Sequence, residues 1–115
     1  MKYTGRDIYC DLILSKKINI TILKKTDNIL AFYHTNPRWK THIVVISKKH
    51  IDSFLTLKQK DHEIFLELIE VIKQISGKIV KEKGAVRILT NLGEYQDSKH
   101  LHFHIISGKE TVRQS

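Results

Sequence analysis

The chain is poor in the residues that brace or punctuate a fold. Its 115 residues include one cysteine, one proline, one tryptophan and five glycines. Cys10 alone excludes an intramolecular disulfide and fits a reducing compartment. One cysteine among seven histidines also argues against a Cys-rich zinc module. No Pro/Gly/Ser-rich stretch marks a linker, and no repeat or low-complexity tract is present. No apolar run is long enough to span a bilayer, and no apolar h-region follows Met1–Asp7, so the expectation is a cytoplasmic protein with no membrane partner. Acidic residues are short, 12 against 20 Lys and Arg, which gives a net charge of +8. That balance favours anionic partners. The lysines are spread in pairs (Lys16-Lys17, Lys24-Lys25, Lys48-Lys49), however, which reads first as a solubilising surface with local phosphate steering. Hydrophobic content of 41% and charged content of 28% are ordinary for a globular protein. The length fits one domain over 1–115, with a core of about 7–108 and a polar tail at 109–115.

What the chain does have is clear periodicity. Asn19–Leu23 and Ile29–Tyr33 read as strands joined by turn residues Lys25–Asn28, a hairpin. Thr35–Lys40, with the only proline, reads as a loop, and the β-branched run Thr41–Ser47 as a buried strand. Asp52–Leu57 suggests a short helical turn. From Asp61 to Lys83, Ile64, Phe65, Leu68, Ile72, Ile75 and Ile79 recur at spacings of three and four, the stripe of an amphipathic helix, with Gly84 as its stop. Val86–Thr90 reads as a strand and Asn91–Lys99 as a loop. The order β-β-β-α-β-β with short connections predicts an α+β fold with a mostly antiparallel five-stranded sheet, one long helix and a short helical turn.

The final strand carries the chemistry. In His100-Leu101-His102-Phe103-His104-Ile105-Ile106 the period of 2 puts three imidazoles on one face, roughly 6.5–7 Å apart, and Leu101, Phe103 and Ile105 on the other. An exposed row of three is poorly explained as packing. Imidazole is the side chain most easily poised for nucleophilic or acid–base work near neutral pH. The loop feeding this strand offers Asn91, Gln96 and Ser98 as neutral donors and Lys99 as a charge, the equipment a phosphoryl group requires. His42 and His50 stand at or near the ends of the buried strand. His50 reads as an exposed loop histidine; His42 is divided evenly between a structural and a site role.

The segment His100–Ile106 matches at every position the pattern His-φ-His-φ-His-φ-φ, φ being apolar, and so resembles the histidine triad (HIT) family of nucleotide hydrolases and transferases. Upstream, Asp27-Asn28-Ile29-Leu30-Ala31-Phe32 is similar to the family's Asp-x-x-Leu-Ala-Phe hairpin. Pro37 through His42 to His50 is similar to its Pro…His-x-φ-φ-φ-Pro-Lys-x-His strand, with Ser47 in the second proline's place. Asn91-Leu92-Gly93 with Gln96 is similar to its Asn-x-Gly…Gln loop. The resemblance implies a HIT-like fold and covalent catalysis. His102 would attack the α-phosphorus of a purine nucleotide derivative, His104 would hydrogen-bond the phosphate, and His100 would orient the nucleophile through its carbonyl. Asn91, Gln96 and Ser98 would hold phosphate and leaving group. Leu30 and Phe32 would line the base pocket. No cofactor or metal would be needed, and a homodimer is implied.

Several positions depart from that pattern. His34 stands where the family has an acid for the ribose hydroxyls. Asp97 follows Gln96 where a serine is usual, and Arg38 and Trp39 replace small residues. Asp7-Ile8-Tyr9-Cys10 keeps only the second cysteine of a Cys-x-x-Cys that serves structural zinc in some members, so no zinc is expected. The alternatives are a nucleotide-binding module with weak or no catalysis, zinc on the three imidazoles, and action on adenylylated DNA ends. The last ranks low because no nucleic-acid-binding module is present.

Overall fold

The computed structural model describes residues 5–111. β1 (Ile22–Lys25), β2 (Ile29–Tyr33), β3 (Trp39–Ser47), β4 (Arg87–Leu89) and β5 (His102–Glu110) form one sheet in the order β1-β2-β3-β5-β4, with every pairing antiparallel. The helix α1 (His62–Lys83) crosses between β3 and β4. It starts from a 3-10 turn at Gln59–Asp61 and stops at Gly84, whose φ of +90° suits a residue without a Cβ. The expected helical turn after Asp52 is a 3-10 turn at Phe54–Thr56, capped by the Ser53 side chain.

Both faces of the sheet are covered. Ala31, Ile43, Val45, Leu101, Phe103 and Ile105 point toward α1 and pack on Leu68, Val71, Ile72, Ile75 and Ile79. Leu30, Phe32, Val44 and Ile46 point the other way and pack against Tyr9 and Ile13. This double burial explains the unbroken apolar run Ile43-Val44-Val45-Ile46 within that strand. The second layer comes from a π-helical turn at Tyr9–Leu14 that the sequence reading missed. It is a single turn, too short to show a period, and Asp7 starts it by accepting the backbone N–H groups of Tyr9 and Cys10, both at 3.0 Å.

Other boundaries shift for local reasons. β1 runs from Ile22 to Lys25, starting three residues after the start of the expected strand, and its ladder with β2 slips between Ile22 and Lys24. Trp39 and Lys40 belong to β3 and not to the preceding loop; Trp39 pairs with Glu110. The polar end of the chain is correspondingly more ordered than its composition implied. β5 runs to Glu110, and Thr111 donates to the carbonyls of Arg38 and Pro37. The remainder of the tail, 112–115, lies outside the described residues.

Leu68 is fully buried at the centre of the helix–sheet interface. Leu68→Ala is expected to lower the unfolding free energy by about 2–5 kcal/mol in chemical denaturation. A loss under about 1 kcal/mol would show that this interface packs loosely.

Candidate active site

The approach to β5 differs from a simple strand. The Leu101 N–H donates to the carbonyl of Ile51 (2.6 Å) and the Lys99 N–H to that of Arg6 (2.7 Å), so residues 99–101 are held by the N-terminal segment and the chain after β3. The ladder begins only at His102, and His100 precedes it. The expected exposed row is buried. His100 has no exposed surface, His102 keeps 5%, and only His104 is half-buried. The cover is Tyr9, whose ring centroid lies 4.8 Å from that of His102 and 5.8 Å from that of His100.

Hydrogen positions follow from the partners, because a carbonyl only accepts and a backbone N–H only donates. His100 Nε2–H donates to the carbonyl of Ser47 (2.6 Å). His102 Nδ1–H donates to the carbonyl of His100 (2.6 Å). In a neutral ring this leaves the lone pair of His102 on Nε2. The ring keeps a 5% exposed edge and is not among the residues that border the cavity beside His104. Burial holds the His102 imidazole below its usual 6.5, although its bond to the His100 carbonyl opposes this. At neutral pH the ring is an uncharged nucleophile or base.

A second group lies on the β2 side of His104. The Asn36 N–H donates to His34 Nδ1 (2.9 Å) and the Arg38 N–H to His42 Nδ1 (3.1 Å). Both rings therefore carry their proton on Nε2. That of His42 is given to His104 Nδ1 at 2.8 Å, which places the His104 proton on Nε2 as well. Burial, together with neighbouring imidazoles and Arg38, lowers the proton affinity of all three. His42 is brought down to about 4 and His104 to about 3. His34, His42 and His104 border a cavity of about 360 Å³ with Arg38, Asn91 and Asp97. Leu89, Asn36 and Trp39 complete its lining, the Trp39 ring meeting the His42 ring edge-on.

His100 heads a third group. Its Nδ1 lies 2.9 Å from Asp7 Oδ2 and 3.3 Å from Cys10 Sγ; His50 Nδ1 lies 2.6 Å and 3.6 Å from the same two atoms. With Nε2–H committed to Ser47, a neutral His100 turns a lone pair toward a carboxylate. Two acceptors at that distance require a cation between them, either a proton or a metal ion. His50 repeats the arrangement, its Nε2 meeting Asp52 at 2.6 Å. Burial opposes protonation of His50, but its bonds to Asp52 and Asp7 outweigh this and raise its proton affinity. One oxygen, one sulfur and two nitrogens within 4.8 Å of one another form a donor set that fits a tetrahedral zinc ion. The expectation of no zinc rested on the missing first cysteine; a carboxylate stands in that place. Reading His50 as a loop histidine captured its exposure and missed its partners. The three triad rings are not a common ligand set, because His100 belongs to this group, His104 to the other, and His102 to neither.

The other expected site residues divide. Asn91, His34 and His104 face the cavity, and His42 supports it. Gln96 and Ser98 are buried outside its lining, and the Gln96 amide donates to the carbonyl of Asp52 (2.7 Å). Lys99 folds back onto the carbonyls of Gly93 and Gln96. Phe32 is buried beside Tyr9, ring centroids 6.2 Å apart, and Leu30 borders a separate, largely apolar cavity of about 390 Å³. Sequence reasoning overlooked Asp7 and Tyr9 as site residues. Their signal was the short spacing to Cys10, a donor already under discussion.

Comparison with known proteins agrees with this geometry. A family profile described as "HIT domain" matches residues 15–111. An uncharacterized HIT-like protein of Helicobacter pylori is 34% identical over 99 residues, 84% of this chain and 91% of that protein. A HIT family hydrolase from Legionella pneumophila superposes with a TM-score of 0.78 at 25% identity, covering 92% of this chain and 96% of that one. A hypothetical histidine triad nucleotide-binding protein from Sulfolobus tokodaii superposes at 0.74 with 28% identity, covering 87% and 68%. A complete His-φ-His-φ-His-φ-φ segment, the antiparallel sheet that carries it and a profile match over most of the chain lead to one conclusion: this chain belongs to the histidine triad family.

Proposed function

We propose that the protein is a nucleotidyl hydrolase or transferase that works through a covalent nucleotidyl-His102. The observation that carries this reading is the bond from His102 Nδ1–H to the His100 carbonyl, which fixes the tautomer and leaves the lone pair on Nε2. In the first step Nε2 forms a bond to the α-phosphorus as the bond to the leaving group breaks, and the leaving group takes the electron pair. In the second, water or another acceptor attacks phosphorus, the P–N bond breaks and the acceptor's proton is released. His104 Nε2–H and the Asn91 amide are the donors for the non-bridging oxygens, and His42 positions His104. The substrate class is a purine nucleotide derivative: phosphoramidate, ester, anhydride or dinucleoside polyphosphate. Support also comes from the hydrolase and nucleotide-binding descriptions of structurally similar proteins.

With adenosine 5′-phosphoramidate or a dinucleoside polyphosphate, acid quenching is expected to trap one nucleotidyl group on the wild-type protein by intact mass spectrometry. His102→Ala is expected to show no adduct and at least roughly 10³-fold lower turnover. Equal turnover by both proteins would remove His102 from this role. Tight nucleotide binding with no adduct would favour the binding-module alternative.

Protonation of Nε2 abolishes the nucleophile, and the folded His102 holds its proton less tightly than a free histidine. The acid limb of kcat/KM is therefore expected to have its midpoint below pH 6.5; a midpoint at or above 6.5 would contradict the neutral-nucleophile reading. Stability follows the same sign for His42 and His104. Their folded values of about 4 and about 3 lie below 6.5, so their contribution is complete above pH 6.5 and fades as pH falls toward those values. Thermal melts over pH 7 to 4 should show a smaller loss for His42→Asn than for the wild type.

A second reading concerns structure and rests on the convergence of lone pairs around Asp7. A zinc ion there would take Asp7 Oδ2, Cys10 Sγ and the Nδ1 atoms of His50 and His100, and would clamp the N-terminal segment against the site. Burial, with Asp7 beside it, pushes the Cys10 thiol up to about 11, so zinc binding must release its proton. One equivalent of zinc is expected to raise the Tm with proton release, and Asp7→Ala to abolish both effects. No stoichiometric binding in calorimetry would leave protons as the only cations at this cluster. The homodimer that the family resemblance implies is tested by sedimentation.

A further inference from the structure

We propose that the aliphatic cavity beside β1 is a second binding site, separate from the histidines, that takes a single-chain amphipathic anion: a medium-chain carboxylate with its alkyl tail on the cavity floor and its head between Lys16, Lys25 and Lys48.

The argument begins with a convergence that spacing along the chain hides. Lys16-Lys17, Lys24-Lys25 and Lys48-Lys49 lie far apart in sequence. The fold brings one member of each pair to the lining of a single cavity of about 390 Å³. Lys16 lies just past the π turn, Lys25 ends β1 and Lys48 follows β3. Two of them are tied to the β1–β2 hairpin. Lys25 stands opposite Leu30 in the ladder, and the Lys48 N–H donates to the carbonyl of Asn28 at 2.8 Å. The Lys48 ammonium donates to the carbonyl of Thr26 at 2.5 Å, which holds it in place and leaves two of its N–H donors for a ligand. Lys16 has a φ of +63°, the one positive φ at a non-glycine position among the described residues. Glycine or asparagine would adopt that conformation more easily, so what lysine adds there is its charge. Among the described residues, no carboxylate lines this cavity.

The surface under the lysines is hydrocarbon. Ile13 and Leu30 are buried at its floor, Ile18 and Ile20 are half-buried, and Ile22 is 52% exposed. A cationic rim over an aliphatic floor matches one ligand chemistry. A small anion would leave the floor in water, and an uncharged hydrocarbon would leave the lysines unused; an alkyl chain with an anionic head satisfies both. The recessed floor favours a free chain over a membrane, because a bilayer meets apolar side chains that protrude. This cavity shares no lining residue with the one bordered by His34 and His104, so its ligand is distinct from the nucleotide.

Calorimetry with decanoate, below its micelle concentration, tests the site on the full chain. One decanoate is expected to bind per chain, with octanoate roughly tenfold weaker because two methylenes leave the floor. Decyltrimethylammonium, the same chain under a cationic head, is expected to bind at least tenfold more weakly. Lys16→Glu with Lys25→Glu should weaken decanoate by about tenfold or more, and Ile22→Asp should weaken it as well. Lys73→Glu with Lys81→Glu on α1 changes the net charge equally and should keep the wild-type affinity. Affinity that ignores chain length or head charge, or an equal loss in both double variants, would overturn the site. Cosedimentation with phosphatidylglycerol vesicles that depends on Lys16 and Lys25, without decanoate binding, would assign this surface to a membrane and end the proposal.

Discussion

One buried imidazole organises the site. His100 is fixed at Nε2 by the carbonyl of Ser47 on β3 and at Nδ1 by Asp7 of the N-terminal segment. Its own carbonyl is thereby fixed, and that carbonyl selects the tautomer of His102. The chemistry of the second histidine thus depends on the backbone position of the first. The ring of His100 need never meet substrate to matter. A substitution there would free the carbonyl and the tautomer together, which is why conservative geometry at this residue counts for more than its charge.

The same rule separates the two histidine clusters, which look alike as collections of imidazoles. Where the far nitrogen meets an acceptor, as at Ser47 for His100 and Asp52 for His50, the near nitrogen becomes a lone pair, and the cluster gathers acceptors that require a cation. Where it meets a backbone donor, as at Asn36 for His34 and Arg38 for His42, the near nitrogen becomes a donor. In that cluster the His42 donor goes to His104, so the proton of His104 also sits on Nε2. Within one row, His100 belongs to the first kind and His104 to the second, and His102 stands between them as the reactive ring.

Much of this was legible in the sequence. The period of 2 in Leu101, Phe103 and Ile105 placed those residues on the helix side, and the stripe from Ile64 to Ile79 placed α1 against them. Spacing reports which face a side chain takes, so these elements could be read directly. Spacing does not report what covers a face. The burial of the histidine row under Tyr9 depends on residues more than ninety positions away in the chain, and on a π turn too short to show any period. The division of the triad into three groups was invisible for the same reason, since tautomers are set by partners such as Ser47 and Asn36 that carry no pattern. Gln96 shows what a motif position leaves out: the resemblance suggested a phosphate contact, and in the structure its amide donates to the carbonyl of Asp52.

The architecture makes these arrangements affordable. A sheet buried on both sides would normally exclude polar rows from its interior strands, yet β3 and β5 carry His42 and His104 side by side at its centre. The Nδ1 atoms of His34, His42, His102 and His104 are each matched to a backbone group or to another ring, so little desolvation is left uncompensated at them. The depressed proton affinities of His34, His42 and His104 are the other half of that bargain. Rings kept neutral can be packed within hydrogen-bond distance of one another without repulsion, and they can hold their donors in place before any anion arrives. His102 and His104 are therefore compatible with this core while they stay uncharged. The condition that lets the sheet fold is the same one that leaves a lone pair on His102.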